Sequence, residues 1–150
     1  MHQLKHQILP VAFAAALAGC GGAESPEELA EVVVSRLQES DFPAYLEDAV
    51  ATPKQVLEVC PDKSEYALDQ ARHQEHFDEC LRRYNFASAE ISKVIATHNT
   101  AVSCGPEVGS TQEILVTVVN DQEILTFKIK SALQTADGWL ATGTLDCPGK

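Results

Sequence analysis

Leu125-Thr126-Phe127-Lys128-Ile129-Lys130 alternates apolar and polar residues with a period of two, and Leu133-Gln134 takes the pattern up again. That is the signature of a β-strand with one buried face. Just upstream, Ile114-Leu115-Val116-Thr117-Val118-Val119 is apolar on both faces and reads as a central strand. Asn120-Asp121 and Asp137-Gly138 supply turns between strands. Trp139 to Leu145 reads as the last strand and residues 90–100 as the first. The second half of the chain, roughly 88–147, is therefore an antiparallel meander of four strands.

Outward from that stretch, the period changes from two to that of a helix. Ser25-Pro26-Glu27-Glu28 combines an N-cap, a proline at the first helical position and a capping-box glutamate. Leu29, Val32, Val33 and Leu37 then share a face, which predicts a helix to about Glu39. Ser40-Asp41 breaks and recaps it. Phe42, Tyr45, Leu46 and Ala49 predict a short second helix. Thr52-Pro53-Lys54-Gln55 repeats the capping pattern for a turn or two, ending near Cys60-Pro61. Asp62, with Glu65 three residues on, predicts the start of the longest helix, ending near Asn85. Helices at 26–86 followed by a meander make a single α+β domain. The long helix is expected to lie on the apolar face of the sheet.

This order resembles the NTF2-like superfamily, especially its small lipoprotein branch. The residues that carry the resemblance are Ser25-Pro26-Glu27-Glu28-Leu29, Asp41-Phe42 opening the second helix, and the closing strand with Asp137-Gly138-Trp139. The short strands usual between the second and third helices of that superfamily are not evident. A cystatin-like fold, a helix laid on a meander, is the alternative. Enzymatic NTF2-like members work inside a cone between helix and sheet, and NTF2-like domains often dimerise through the open sheet face. The resemblance therefore implies a possible pocket and a possible homodimer.

The N-terminus carries a second resemblance. An apolar run from Ile8 to Leu17 follows a single lysine, Lys5, and ends in Leu17-Ala18-Gly19-Cys20. The run is about ten residues, too short for a membrane span of roughly 20. A small residue followed by cysteine at the end of such a run resembles the lipobox of bacterial lipoproteins. It implies a signal peptide over 1–19, cleavage before Cys20 and acylation of Cys20, with the folded domain over 26–150. Gly21 after the cysteine implies sorting to the outer membrane, by resemblance to enterobacterial lipoproteins. Gly21, Gly22, Ala23 and Glu24, within the 20–25 segment, read as a short flexible tether.

Four further cysteines, Cys60, Cys80, Cys104 and Cys147, suggest two disulfides in an oxidising compartment. No two stand in the close spacing that zinc sites use. If 63–84 is one helix, Cys80 lies roughly 25 Å along it from Cys60 at 1.5 Å per residue, beyond the roughly 7 Å that a disulfide spans. Following the meander, Cys60 falls at the end where Cys104 lies, and Cys80 at the end where Cys147 lies. The preferred pairing is Cys60–Cys104 and Cys80–Cys147. A break within the long helix would restore Cys60–Cys80.

The formal net charge is −11, and loss of the leader removes one of the basic residues, Lys5. Nucleic-acid binding needs a basic face and is not expected. The acidity reads first as solubility, with steering of a cationic partner as the alternative.

The long helix holds the one suggestive cluster. Asp69, His73 and His76 are spaced four and three apart, so they share a face. The same face carries Tyr66, Phe77, Cys80 and Tyr84, which makes a core histidine bonded to Asp69 the plainer reading, and no metal or other cofactor is expected. His73-Gln74-Glu75-His76 lacks the four-residue separation of the zinc-protease motif. Tyr66, Asp69, His73, Phe77 and Tyr84 are the residues expected to line any pocket, with His98 a further acid–base type. No nucleophile elbow and no phosphate loop occurs. These readings lead to a non-enzymatic, envelope-anchored lipoprotein that binds a protein or small ligand. A hydrolase, isomerase or dehydratase with a cone-shaped pocket and an inhibitor or immunity-type lipoprotein are the alternatives.

Overall fold

A computed structural model describes residues 22–61, 66–99 and 111–148. Four helices precede an antiparallel sheet: α1 Pro26–Glu39, α2 Phe42–Ala49, α3 Pro53–Val59, α4 Gln70–Arg83, then β1 Glu90–Asn99, β2 Thr111–Val119, β3 Ile124–Thr135, β4 Gly138–Ala141 and β5 Leu145–Asp146. This is the expected α+β order, helices packed on a meander. The sheet runs β1-β2-β3-β4, and β5 pairs with β3.

The helix caps follow the sequence signals. Ser25 Oγ accepts from the Glu28 amide, and Ser40 closes α1 in the left-handed region at φ 54°. Asp41 caps α2 through the Ala44 amide. Thr52 and Gln55 form a reciprocal capping box on α3. Each satisfies amides or carbonyls that a helix end leaves open.

The fourth helix differs from expectation. It begins at Gln70, not near Asp62, because Asp69 is its N-cap and accepts from the Arg72 amide at 3.1 Å. Tyr66 to Asp69 are not helical. The helix is 14 residues long, equal to α1. A helix can propagate only through residues whose amides find a carbonyl four back; Asp69 instead turns its carboxylate onto its own helix end. Nor does α4 alone cover the sheet. The buried face of α1 (Leu29, Ala30, Val33, Val34, Leu37) lies over β1, β2 and β4, whereas α4 packs on α1, α2 and β5.

The expected last strand is split. β4 pairs with the C-terminal part of β3 and β5 with its N-terminal part, Ile129 opposite Leu145 and Ala132 opposite Ala141. Between them β3 holds one extra residue relative to β2, a bulge where the pairing shifts from Ile114↔Ile129 to Gln112↔Ala132. Thr142 and Gly143 both donate to the Ser131 carbonyl at 2.8 and 3.1 Å, and Lys130 donates to Thr144 at 3.2 Å. The bulge bends β3, so one strand serves two short partners. It also explains why the alternation pauses at Ser131 and Ala132, both buried.

Cys80 and Cys147 form the expected disulfide, S–S 2.06 Å, joining α4 to the residue after β5. Cys60 is disulfide-bonded too; its expected partner Cys104 lies outside the described residues. The Cys60–Cys80 alternative is ruled out by the bond Cys80 already makes.

The start of the domain is not a free tether. The Gly22 amide donates to the Asp137 carbonyl and the Trp139 amide to the Ala23 carbonyl, both at 2.8 Å, so Ala23 bridges Trp139 in antiparallel fashion. Ala23 is buried. Glycine is required on both sides of this seat. A Cβ on Gly22 would stand 2.0 Å from the Asp137 carbonyl oxygen, and Gly138 adopts φ +106° with its would-be Cβ 2.6 Å from Ala23. Among the described residues no helix is long and apolar enough to cross a membrane.

Candidate functional site

The interior between helices and sheet is occupied by aromatic rings. Phe42, Tyr45 and Phe77 form a triad, with centroids 6.0, 5.5 and 5.0 Å apart. Tyr84 stacks edge-on against Phe86 at 5.1 Å, and Phe86 against Phe127 of β3 at 6.0 Å. All six are buried. These distances suit offset or T-shaped aromatic contact, so the rings pack on each other.

The five residues expected around a pocket do not converge. Phe77 is at the centre of the triad. Tyr84 lies at the C-terminal end of α4, where its hydroxyl donates to the carbonyls of Glu123 at 2.9 Å and Val118 at 3.4 Å. Tyr66 belongs to a separate cluster with Val56, Cys60, Leu133 and Leu140, and its hydroxyl donates to the Ala51 carbonyl at 3.2 Å; burial raises its pKa. Asp69 is exposed and committed to its cap. His98, near the end of β1, is exposed.

His73 alone keeps the features of a site residue. It is 5 % exposed, and among the described residues its Nδ1 has no hydrogen-bond partner. Burial lowers its pKa below the ordinary histidine value; Asp69 opposes that shift, while His76 and Arg72 add to it. The Asp69 carboxylate thus acts on His73 through space, and its hydrogen bond goes to the Arg72 amide. The second orphan polar atom is one that the sequence reading missed: the hydroxyl of Tyr45, fully buried, likewise has no partner among the described residues. Burial pushes that phenol upward, so it stays neutral. Tyr45 packs on Phe77, one helical turn from His73. In sequence Tyr45 is only one apolar-face residue of a short helix; no spacing marks it.

Chemically, a neutral imidazole and a neutral phenol in an apolar interior can each take a hydrogen bond. Among the described residues neither the Tyr45 hydroxyl nor His73 Nδ1 is hydrogen-bonded to a nucleophile or carboxylate, the contact that orients a general acid or base. Asp69, His73 and His76 do not gather as ligands, and no three metal-ligating side chains meet among the described residues.

Compared with protein families, with curated proteins and with solved structures, the chain finds no match.

Proposed function

We propose that the protein is an envelope lipoprotein, cleaved before Cys20 and held by acyl chains on that residue, whose small NTF2-like α+β domain binds a protein or small ligand through its outer surface and does not catalyse a reaction. The observation that supports this reading is the aromatic packing between helices and sheet, where the ring triad and the Tyr84–Phe86–Phe127 chain make mutual contacts among buried residues. Leu17-Ala18-Gly19-Cys20 supports the anchor. The Cys80–Cys147 bond supports an oxidising compartment such as the bacterial periplasm. Two or more acyl chains would give stable anchoring where one gives only marginal binding.

The test is expression of the full chain in a Gram-negative host, followed by mass spectrometry of the N-terminal peptide and membrane fractionation. The reading expects acyl mass on Cys20, outer-membrane recovery, and release of a Cys20→Ala variant from the membrane. An unmodified Cys20, or a soluble wild-type protein, would sink it. Crosslinking of the lipidated protein in intact cells should then capture a surface partner, and turnover abolished by His73→Gln would overturn the non-catalytic part.

A further inference from the structure

The seat of Gly22 and Ala23 on the β3–β4 hairpin decides which end of the domain can meet a membrane. Cys20 precedes Gly22 by two residues, and two peptide units reach at most about 7 Å. An acyl group carried by Cys20 would therefore start within that reach of Gly22, which is bonded to the Asp137 carbonyl. The slack usual in a lipoprotein tether is removed by two backbone hydrogen bonds, Gly22 to Asp137 and Trp139 to Ala23. The chain is held again two residues on, where the Glu24 amide donates to Glu28 Oε1 at 2.8 Å and Ser25 caps α1. The hairpin itself is braced: Thr135 Oγ1 donates to the Gly138 carbonyl, the Asp137 amide donates to Thr135 Oγ1, and Gln55 of α3 donates to the Asp137 carboxylate.

We propose that this end, formed by the β3–β4 hairpin and the Gly22–Glu24 segment, is the bilayer-facing surface, and that the domain stands on it in one orientation. The proposal rests on the lipoprotein reading. The surface is polar, with a shallow groove lined by Glu24, Gln134, Thr135 and Asp137 beside the two glycines, which suits the hydrated headgroup layer and not the acyl region. The opposite end holds the β2–β3 turn and Ile124, the most exposed large apolar side chain described, at 71 %. β3 runs from one end to the other, roughly 35 Å for its residues at about 3.3 Å each. In this orientation the Ile124 end faces away from the membrane, open to a partner.

Trp139 is the only tryptophan in the chain and lies against Ala23 at the proposed bilayer end. The lipidated full-length protein is placed in phosphatidylethanolamine–phosphatidylglycerol vesicles containing a lipid spin-labelled on its headgroup. Trp139 emission should be quenched. In a Trp139→Phe, Ile124→Trp variant, which carries the reporter to the far end, emission should persist. Inserting six Gly-Ser residues between Cys20 and Gly21 restores slack without touching the seat, and should reduce quenching of Trp139. Equal quenching at the two ends, or no effect of the insertion, overturns the proposal. If mass spectrometry finds Cys20 unmodified, the lipoprotein reading and this proposal fall together. If Cys20 carries lipid and quenching is equal at both ends, only the orientation falls.

Discussion

The two ends of the sheet are closed by opposite means. At the end holding the β2–β3 turn, side chains do the work. Tyr84 bonds the carbonyls of Val118 and Glu123. Asn120 accepts from the Gln122 and Glu123 amides and donates to the Asn85 carbonyl at 3.0 Å. At the end holding the β3–β4 hairpin, Thr135 and Gln55 brace the hairpin, but what joins the chain start to it is the absence of side chains: Gly22 and Gly138 let two backbones approach where any Cβ would collide. The first kind of closure announces itself in sequence as residue types suited to bonding. The second shows only as two glycines 116 positions apart, and nothing but the fold brings them together.

This contrast can be broken or sharpened by substitution. The largest effect belongs to neither end but to the core between them. Phe77→Ala should cost about 3–5 kcal/mol, because the fully buried ring touches both Phe42 and Tyr45; urea unfolding would show it as a lower midpoint. Replacing both Cys80 and Cys147 by alanine should cost about 2–4 kcal/mol, seen as a matching fall in thermal midpoint. At the glycine-closed end, Gly138→Ala should cost more than about 1 kcal/mol, since φ +106° and the contact with Ala23 both oppose a side chain. Amide exchange should then accelerate at Gly22 and Trp139 but not at Glu123. At the side-chain-closed end, Tyr84→Phe should cost about 1 kcal/mol and accelerate exchange in the β2–β3 turn alone. Tyr45→Phe makes the control. Its hydroxyl has no partner among the described residues, so removing it should be neutral or stabilising by up to about 1 kcal/mol. A Tyr45→Phe loss as large as that of Tyr84→Phe would show that the Tyr45 hydroxyl is bonded after all.

The smallest expected effect is a slope. Burial depresses the pKa of His73 in the folded protein, so the unfolded chain binds the proton more readily. Stability from this group is fully present above the unfolded value of about 6.5 and falls as pH drops from there through the folded pKa. A His73→Leu variant should lose that part of the decline, measured as denaturation midpoint against pH over the acid side of neutrality. An unchanged slope would place the titrating group elsewhere.

Much of the architecture was legible. Caps at Ser25, Asp41 and Thr52 are local chemistry, decided within one helical turn, and all three form as the residues imply. The alternation over 125–130 and the apolar run over 114–119 follow from the two-residue period of a strand. The start of α4 departs from the Asp62–Glu65 signal: Asp69 caps the helix, and Tyr66 upstream of it joins the small cluster around Val56 and Leu133. The candidate site was less legible still. Tyr66, Asp69, His73, Phe77 and Tyr84 share a face only if one helix carries them all. With α4 starting at Gln70 they scatter to a separate cluster, a helix cap, the ring triad and the sheet end.

By itself, the sequence determined the order of elements, the caps, the turns at Asn120 and Asp137-Gly138, and the alternation that buries one face of β3, because each depends on residues within a turn or a strand of one another. The tertiary structure alone decided that β3 bends at Ser131 to serve two partners, that the Tyr45 hydroxyl and His73 Nδ1 are buried with no hydrogen-bond partner among the described residues, and that the chain leaving Gly22 is fastened to the hairpin. Those outcomes depend on close approach between distant segments, where a carbonyl, a ring or a missing Cβ matters through what it meets across the fold.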